Sequence, residues 1–267
     1  MSAQAIPVGP IRVSPAWLEL RERADGAARS RALAARLGDG PWVIHDLAAG
    51  TGSMGRWLAP LLAGPQQWVL HDRDADLLAL AATHAPAGVG LETRLGDITR
   101  LRPEDLDGAT LVTASALLDL LTEPELETVI ALCLATACPV LLTLSVTGDV
   151  RLDPPDPLDA RVAAAFDAHQ RRSTARGRLL GPDAVDAAAE RFRAAGATVL
   201  VAASPWRLGP AEAALAEEWL TGWADAACEH EPALAVEAAL YRRRRVHEAR
   251  AGRLVVTVGH ADLLVLP

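Results

Sequence analysis

Short apolar runs alternate with segments of helical spacing through the first half of the chain. The runs "WVIHDL" and "QQWVLHD" predict strands, and each is followed by a segment with helical spacing, "SMGRWLAPLL" and "ADLLALAATHA". Three more runs, "VGLETRLGD", "ATLVTAS" and "PVLLTLSV", predict the third, fourth and fifth strands. Strands that alternate with helices predict right-handed βαβ units and a parallel sheet with helices on both faces.

The second half predicts two more strands and a pair of helices between them. The stretch "TGDVRLDPPDPLDA" is rich in proline and aspartate and predicts a loop, and helices are expected over residues 160–172 and 182–195. The sixth strand is "ATVLVAAS" and the seventh is "RLVVTV", with a helical insertion over residues 209–250. The predicted fold is therefore a doubly wound, seven-stranded α/β domain.

The N-terminal part is predicted to be helical and separate from that sheet. Helices are expected around residues 15–24 and 25–37, ending at "GDGP", because glycine and proline stop a helix. The predicted organisation is a helical segment over residues 1–40 and one domain over residues 41–267.

One uncharged run of 18 residues, from Val129 to Val146, approaches the length of a membrane span. Pro139 divides it, so a buried helix followed by a buried strand is the better interpretation. The N-terminal stretch "MSAQAIPVGPIRVSPAW" lacks the apolar core of a signal peptide. The three cysteines have neither disulfide nor metal spacing, so we expect a cytoplasmic protein without a metal site.

Charge changes the range of possible partners. The net charge is -8, which disfavours nonspecific binding to nucleic acid or to anionic membranes. All 26 basic residues are arginines, so no lysine can serve as a Schiff base or general base.

A glycine-rich loop follows the first predicted strand. Gly50, Gly52 and Gly55 spell G-x-G-x-x-G between a strand and a helix, and Asp72 ends the next strand about 20 residues later. This context predicts a bound nucleotide cofactor. Asp46, before the loop, would repel the pyrophosphate of a dinucleotide, whereas a cofactor with a sulfonium and an ammonium group could use its negative charge. Gly55 is interpreted as a helix-packing residue.

The stretch resembles the first motif of class I S-adenosylmethionine-dependent methyltransferases, acid-x-Gly-x-Gly-x-Gly, with Ala48 in place of the first glycine. "WVLHDRDADLL" resembles the second motif, "RLGDI" the third, and "LVTASALLDLL" lies in the region of the fourth. The resemblance implies a Rossmann-like, mostly parallel sheet in which strand seven is antiparallel beside strand six. It also implies S-adenosyl-L-methionine as cofactor and S-adenosyl-L-homocysteine as product.

The same resemblance assigns roles to particular residues. Asp72 is expected to hold the ribose hydroxyls, with Asp74 as second choice, and Asp97 and Ile98 to contact the adenine. The N-terminal helices are expected to form a lid, with Arg21, Arg23 or Arg29 near the cofactor carboxylate. The full set of expected cofactor-binding residues is Asp46, Ala48, Gly50, Gly52, Asp72, Asp97, Ile98 and Ser115.

The methyl acceptor is less constrained by the sequence. The fourth region lacks the Asn/Asp-Pro-Pro-Tyr/Phe pattern of enzymes that methylate nucleobases or glutamine amides, and "DPPDP" at 153–157 lacks the aromatic residue. Asp119, just beyond the fourth strand, and His169, in "FDAHQRRSTARG", are the candidate catalytic residues. Each also fits an ordinary surface position. His260 and Asp262 are interpreted as turn residues after the last strand.

Two further features admit structural explanations. Trp219 and Trp223 are four residues apart, so they share a helix face and either pack the helical pair onto the sheet or, with Trp206, wall an acceptor pocket. Four consecutive arginines in "YRRRRV" point around a whole helix, which favours solvation and pairing with nearby glutamates.

The sequence therefore predicts a methyltransferase for a small-molecule acceptor, present as a monomer or homodimer. The alternatives are an RNA or protein methyltransferase, an NAD(P)-dependent oxidoreductase, and a noncatalytic module that binds S-adenosylmethionine. The attacking atom of the acceptor stays open.

Overall fold

The computed structural model describes residues 13–267, and the first twelve residues lie outside it. A main sheet has the strand order β3-β2-β1-β4-β5-β10-β8, with β9 beside β10, and a two-stranded hairpin joins β6 to β7. The strands are β1 (Trp42–Leu47), β2 (Gln66–Asp72), β3 (Gly90–Leu95), β4 (Leu111–Ser115), β5 (Val140–Asp153), β6 (Ser173–Thr174), β7 (Gly177–Arg178), β8 (Thr198–Ala203), β9 (Trp206–Leu208) and β10 (Val255–Leu266).

Helices connect these strands. In the described chain the α-helices are α1 (Pro15–Ala28), α2 (Arg31–Ala34), α3 (Ser53–Leu58), α4 (Ala75–Thr83), α5 (Glu123–Ala135), α6 (Asp159–Gln170), α7 (Ala184–Ala194), α8 (Ala213–His230) and α9 (Ala235–Arg250). None of them is long and apolar enough to cross a membrane.

The first five strands form the parallel part of the sheet. β1 is central and pairs in parallel with β2 and with β4. The strand limits predicted from "WVIHDL" and "QQWVLHD" are confirmed. Most residues of both strands are buried, as expected inside a parallel sheet. The helix-to-strand boundary at Pro139 is confirmed as well, between α5 and β5.

The last strand makes the sheet mixed. β10 is antiparallel to both β5 and β8, so it lies between them rather than at the edge. This is the arrangement that the resemblance implies, a Rossmann-like and mostly parallel sheet.

Two predicted loops are strand instead. β5 continues through Asp153, and β10 continues from Val255 to Leu266, so His260 and Asp262 lie inside a strand rather than in a turn. The two strands pair over most of their length, from Val255 with Asp153 to Val265 with Val140. β5 also supplies a partner to a polar residue of β10, because Leu144 N donates to Asp262 Oδ1 at 2.8 Å, which neither segment alone reveals.

The predicted boundary between two N-terminal helices at residue 25 is wrong. α1 begins after Ser14, whose side chain accepts a hydrogen bond from Trp17 N at 3.2 Å, and it continues to Ala28. Asp25, within α1, is buried and accepts a hydrogen bond from Trp206 Nε1 at 2.9 Å. α1 is therefore attached to the sheet through β9.

The helical insertion has its own core. Trp219 and Trp223 stack with ring centroids 5.0 Å apart and pack with Trp206 in an apolar cluster under α8 and α9. In the arginine run, Arg245 is buried and pairs with Asp159 at 2.6 Å. Arg245 also pairs with Glu248 at 2.9 Å, as the predicted pairing with glutamates requires, whereas Arg242 and Arg244 pair with aspartates.

Candidate functional site

A cavity of about 430 Å³ lies at the carboxyl ends of the parallel strands. This is where ligands bind in open α/β sheets, and the volume is in the range of small-molecule sites. α1 covers the cavity with Trp17, Leu18 and Arg21, while the loops after β1, β2, β3 and β4 form its floor.

The loop after β1 brings the backbone close to the cavity. Ala48 and Gly50 both line it, with φ of 53° and 55°, in the left-handed region. A Cβ on Gly50 would lie 3.3 Å from Leu18 Cδ1. The glycine therefore keeps open the space between the loop and α1.

Asp46 is the most perturbed carboxylate of the cavity. It is almost fully buried, its Oδ1 accepts a hydrogen bond from Thr113 Oγ1 at 2.7 Å, and its Oδ2 is buried without a hydrogen-bond partner among the described residues. Burial raises the pKa of Asp46 to about 7. An unpartnered carboxylate oxygen beside a cavity fits a cationic ligand group, because such a group would supply the missing partner.

Asp72 and Asp74 have different roles in the second loop. Asp72 is buried, and its two oxygens accept hydrogen bonds from Gly50 N at 2.8 Å and Asp74 N at 2.9 Å. Asp74 caps α4 by accepting from Asp76 N and Leu77 N. Both line the cavity. Because a carboxylate oxygen accepts more than one hydrogen bond, Asp72 still has capacity for ligand hydroxyls.

The third loop supplies one polar and one apolar contact. Asp97 Oδ1 accepts hydrogen bonds from the backbone and hydroxyl of Thr99, while Ile98 is buried. Both residues line the cavity. Asp97 is thus a turn residue and a cavity residue at once.

The loop after β4 is held by an arginine from the N-terminal part. Ser115 lines the cavity, and its Oγ accepts a hydrogen bond from Arg29 at 3.0 Å. Arg29 also donates to Ser53 Oγ at 3.1 Å and is buried behind these two serines. Of the three arginines proposed near a cofactor carboxylate, Arg21 lines the cavity and Arg23 is exposed.

Backbone strain is concentrated at this site. In the described chain four non-glycine residues have positive φ, and three of them, Ala48, Ala116 and Leu144, line the cavity. Leu144 is held there by its N–H, which donates to Asp262 Oδ1 at 2.8 Å. Strained backbone that persists in a folded protein is typical of ligand-binding sites.

Gly52 does not line the cavity, unlike the other seven residues of the predicted set. It precedes α3 with φ of 79°, and a Cβ there would lie 3.2 Å from Ala81 Cβ. Its role in the structure is to start α3 and to let it pack on α4. Gly55 faces the ring of Trp68, where a Cβ would lie 3.5 Å away.

The structure separates the two candidate catalytic residues. Asp119 lines the cavity, and burial raises the pKa of its carboxyl to about 6. His169 lies on α6 outside the cavity, and its Nε2 contacts Glu229 Oε2 at 3.0 Å on the surface.

Sequence reasoning missed His260, which lines the same cavity from β10. Its ring is buried, packs on Trp206 with centroids 5.1 Å apart, and contacts Val258 O through Nδ1 at 3.0 Å. The only available signal was the continued alternation of "VTVGHADLLVLP", which extends the last strand past the glycine.

Two buried histidines lie outside the cavity. His45 and His71 contact each other at 3.0 Å between β1 and β2, and burial lowers the pKa of both to about 4. Within residues 13–267, no group of three or more histidines, cysteines or carboxylates could hold a metal ion.

Comparison with known proteins bears on this site directly. Residues 44–139 match the family model described as a methyltransferase domain. That range contains most of β1, all of β2, β3 and β4, and the loops after them, which supply most of the cavity floor. No curated protein sequence matches the chain.

Several solved structures are similar in fold. A methyltransferase from Geobacter sulfurreducens is 14% identical, covering 95% of this chain and 98% of its own, with a TM-score of 0.49. One from Thiobacillus denitrificans is 15% identical, covering 96% and 100%, with a TM-score of 0.48. The cyclopropane synthase MmaA2 from Mycobacterium tuberculosis is 13% identical, covering 88% and 81%, with a TM-score of 0.48. The family match therefore identifies residues 44–139 as a methyltransferase domain.

Proposed function

We propose that the protein transfers a methyl group from S-adenosylmethionine to a small-molecule acceptor in the cavity beneath α1. The observation that supports this proposal is the cavity itself, which is lined by the loops after β1, β2, β3 and β4 and by Asp119. S-adenosylmethionine, when bound, supplies an electrophilic methyl group on a positively charged sulfur.

The residues of the cavity fit the parts of that cofactor. Asp46, whose Oδ2 has no partner among the described residues, would hold the cationic end, and Asp72 would accept hydrogen bonds from the ribose hydroxyls. Asp97 would accept a hydrogen bond from the adenine amino group, and Ile98 would pack against the ring. Ala48 and Gly50 would let the backbone approach the cofactor, and Ser115 would lie near the sulfonium.

The size and cover of the cavity support a small acceptor. α1 acts as a lid over the cofactor loops and is held by the hydrogen bond from Trp206 to Asp25, which favours a small acceptor over a polymer. The chain is also acidic, with a net charge of -8, which disfavours RNA.

Asp119 is the proposed contact for the acceptor. Since burial raises the pKa of Asp119 to about 6, its carboxyl accepts a hydrogen bond from an acceptor hydroxyl or amine near neutral pH. The protein's contribution to rate is then mainly alignment of the attacking atom with the methyl carbon and sulfur.

Calorimetric titration with S-adenosylmethionine and with NAD⁺ and NADP⁺ tests the cofactor. We expect binding of the first and none of the dinucleotides; binding of a dinucleotide alone would refute the proposal. Transfer of labelled methyl into the metabolite, RNA and protein fractions of a cell extract then tests the acceptor. Label in RNA or protein would replace the small-molecule acceptor, and binding without transfer to any fraction would indicate a noncatalytic module.

Asp119→Asn separates the acceptor contact from the cofactor contacts. We expect it to bind S-adenosylmethionine as the wild type does and to lose most of the transfer activity. A variant with unchanged transfer would exclude Asp119 as the acceptor contact.

A further inference from the structure

We propose that His260 is the base that receives the proton of the methyl acceptor through its Nε2 atom. The inference rests on the proposed methyl transfer and adds to it a residue and a proton path. Three observations carry it: the tautomer set by the backbone, the clamping of the ring, and the position of the ring at the cavity.

The backbone fixes which ring nitrogen is available. Nδ1 lies 3.0 Å from Val258 O, and a carbonyl oxygen can only accept, so the hydrogen is on Nδ1. In the neutral ring the lone pair is then on Nε2. No hydrogen-bond partner of Nε2 is found within residues 13–267, and the ring lines the cavity.

The ring is held in that orientation by neighbouring groups. It packs on Trp206, whose Nε1 donates to Asp25 Oδ1 at 2.9 Å. The other oxygen of Asp25 pairs with Arg21 Nε at 2.9 Å, and the Arg21 guanidinium lies 4.8 Å from the centre of the Trp206 ring. β5 supplies the opposite wall through Val146, the pairing partner of His260. These contacts hold the ring at the cavity wall, with Nε2 as the nitrogen that the backbone does not bind.

The charges around the ring keep that lone pair free. Burial, together with the positive charge of Arg21, lowers the pKa of His260 to about 4, and Asp25 opposes this only in part. The ring is therefore neutral at pH 7. As a hydroxyl or amine acceptor forms its bond to the methyl carbon, the electrons of the carbon–sulfur bond stay on sulfur, which becomes neutral. The acceptor proton passes to Nε2, and later to water.

Loss of the sulfonium charge would ease this proton transfer. A sulfonium bound in the cavity would oppose protonation of His260, and that opposition would disappear when the methyl group leaves the sulfur. The imidazolium thus forms as the sulfonium charge is lost. Its low pKa then promotes release of the proton and return of the neutral ring.

The first test reads the ring directly and needs no acceptor. Nitrogen NMR of histidine-labelled protein with S-adenosylhomocysteine at pH 7 should show His260 neutral, with hydrogen on Nδ1 and an unprotonated Nε2. The His260→Gln variant identifies the signal. A hydrogen on Nε2, or a charged ring at pH 7, would overturn the inference.

The second test is chemical rescue of turnover. Labelled S-adenosylmethionine is supplied with a panel of simple phenols, alcohols and amines, and any acceptor methylated by the wild type is carried forward. We expect His260→Ala to lose about a hundredfold or more of turnover while keeping cofactor affinity, and added imidazole to restore part of it. His169→Ala, which removes an imidazole outside the cavity, is the matched control. Its turnover should equal that of the wild type and should not change when imidazole is added.

The outcomes separate this inference from the proposed function. Wild-type turnover in His260→Ala, or a loss that imidazole does not restore, would overturn the role as base while leaving methyl transfer intact. If the wild type methylates no member of the panel and no fraction of the extract, the proposed function fails instead, and the nitrogen spectra alone decide the tautomer and exposure of His260.

Discussion

Asp46 is expected to lower the free energy of unfolding of the protein without cofactor, because its buried carboxylate then lacks a cation to pair with. Its carboxyl has a pKa of about 7 in the fold against an ordinary value of 3.8, since it is buried with one oxygen unpartnered. A shift of about 3 pH units corresponds to about 4 kcal/mol at roughly 1.4 kcal/mol per unit. Because the pKa is raised in the fold, the carboxyl of the unfolded chain ionises at a lower pH than the carboxyl of the folded protein. This residue therefore lowers the free energy of unfolding as pH rises from about 4 to about 7, and the penalty stays constant above that.

Asp46→Asn removes that ionisation without changing the shape of the side chain. We expect the variant to gain stability relative to the wild type as pH rises, by roughly 2–3 kcal/mol between pH 5 and pH 8. The same change should weaken S-adenosylmethionine binding at pH 8 by about ten- to a hundredfold, the value of a charged hydrogen bond of about 1.5–3 kcal/mol. The wild type should bind about tenfold more tightly at pH 8 than at pH 6, because Asp46 ionises in that window.

Urea unfolding and calorimetric titration at pH 5, 6 and 8 measure both effects. Asp74→Asn is the matched control, since it removes a charge from the same cavity but keeps an N-capping side chain on α4. The Asp74→Asn control should show no gain in stability. Its affinity for the cofactor should still rise from pH 6 to pH 8, as in the wild type, whereas the affinity of Asp46→Asn should not. An Asp46→Asn protein that binds the cofactor as tightly as the wild type at pH 8, with no gain in stability there, would refute the reasoning.

Three other substitutions test the geometry of the site. Asp72→Ala should weaken cofactor binding by about ten- to a hundredfold, and Asp74→Ala much less, in calorimetric titration. The reason is that Asp72 accepts hydrogen bonds from Gly50 N and Asp74 N, while Asp74 mainly caps α4. The reverse order would assign the ribose contact to Asp74. Gly52→Ala should destabilise the protein by about 1–3 kcal/mol in urea unfolding, since φ is 79° and the new Cβ would crowd Ala81, whereas an unchanged midpoint would mean that α3 can shift. Asp262→Ala should cost about 3 kcal/mol or more in the same assay, because Leu144 N, Ser30 N and Ser204 Oγ all lose their buried acceptor, and a loss below about 1 kcal/mol would show that water replaces it.

The parallel part of the fold and most of the cofactor loops could be predicted from local pattern. The runs that became β1 and β2 are apolar and short, and the residues after each parallel strand must meet at one edge of the sheet. Spacing alone therefore places Asp46, Gly50 and Asp72 together. The same spacing predicts that Gly52 contacts the cofactor, and this contact stays a prediction, while in the structure Gly52 begins α3 and is not among the residues that line the cavity.

The acceptor side of the cavity depends on contacts between distant parts of the chain. His260 and Asp262 were interpreted as turn residues because their partners, in β5, β8 and α1, lie far away in sequence. His169, with an equally suggestive composition around it, lies on a helix surface beside Glu229. Sequence determines which segments are buried and which strands end in polar loops, since both follow from local periodicity. Only the tertiary structure decides which buried polar side chain faces the cavity, because that depends on the antiparallel register of β10 and on the helix that covers it.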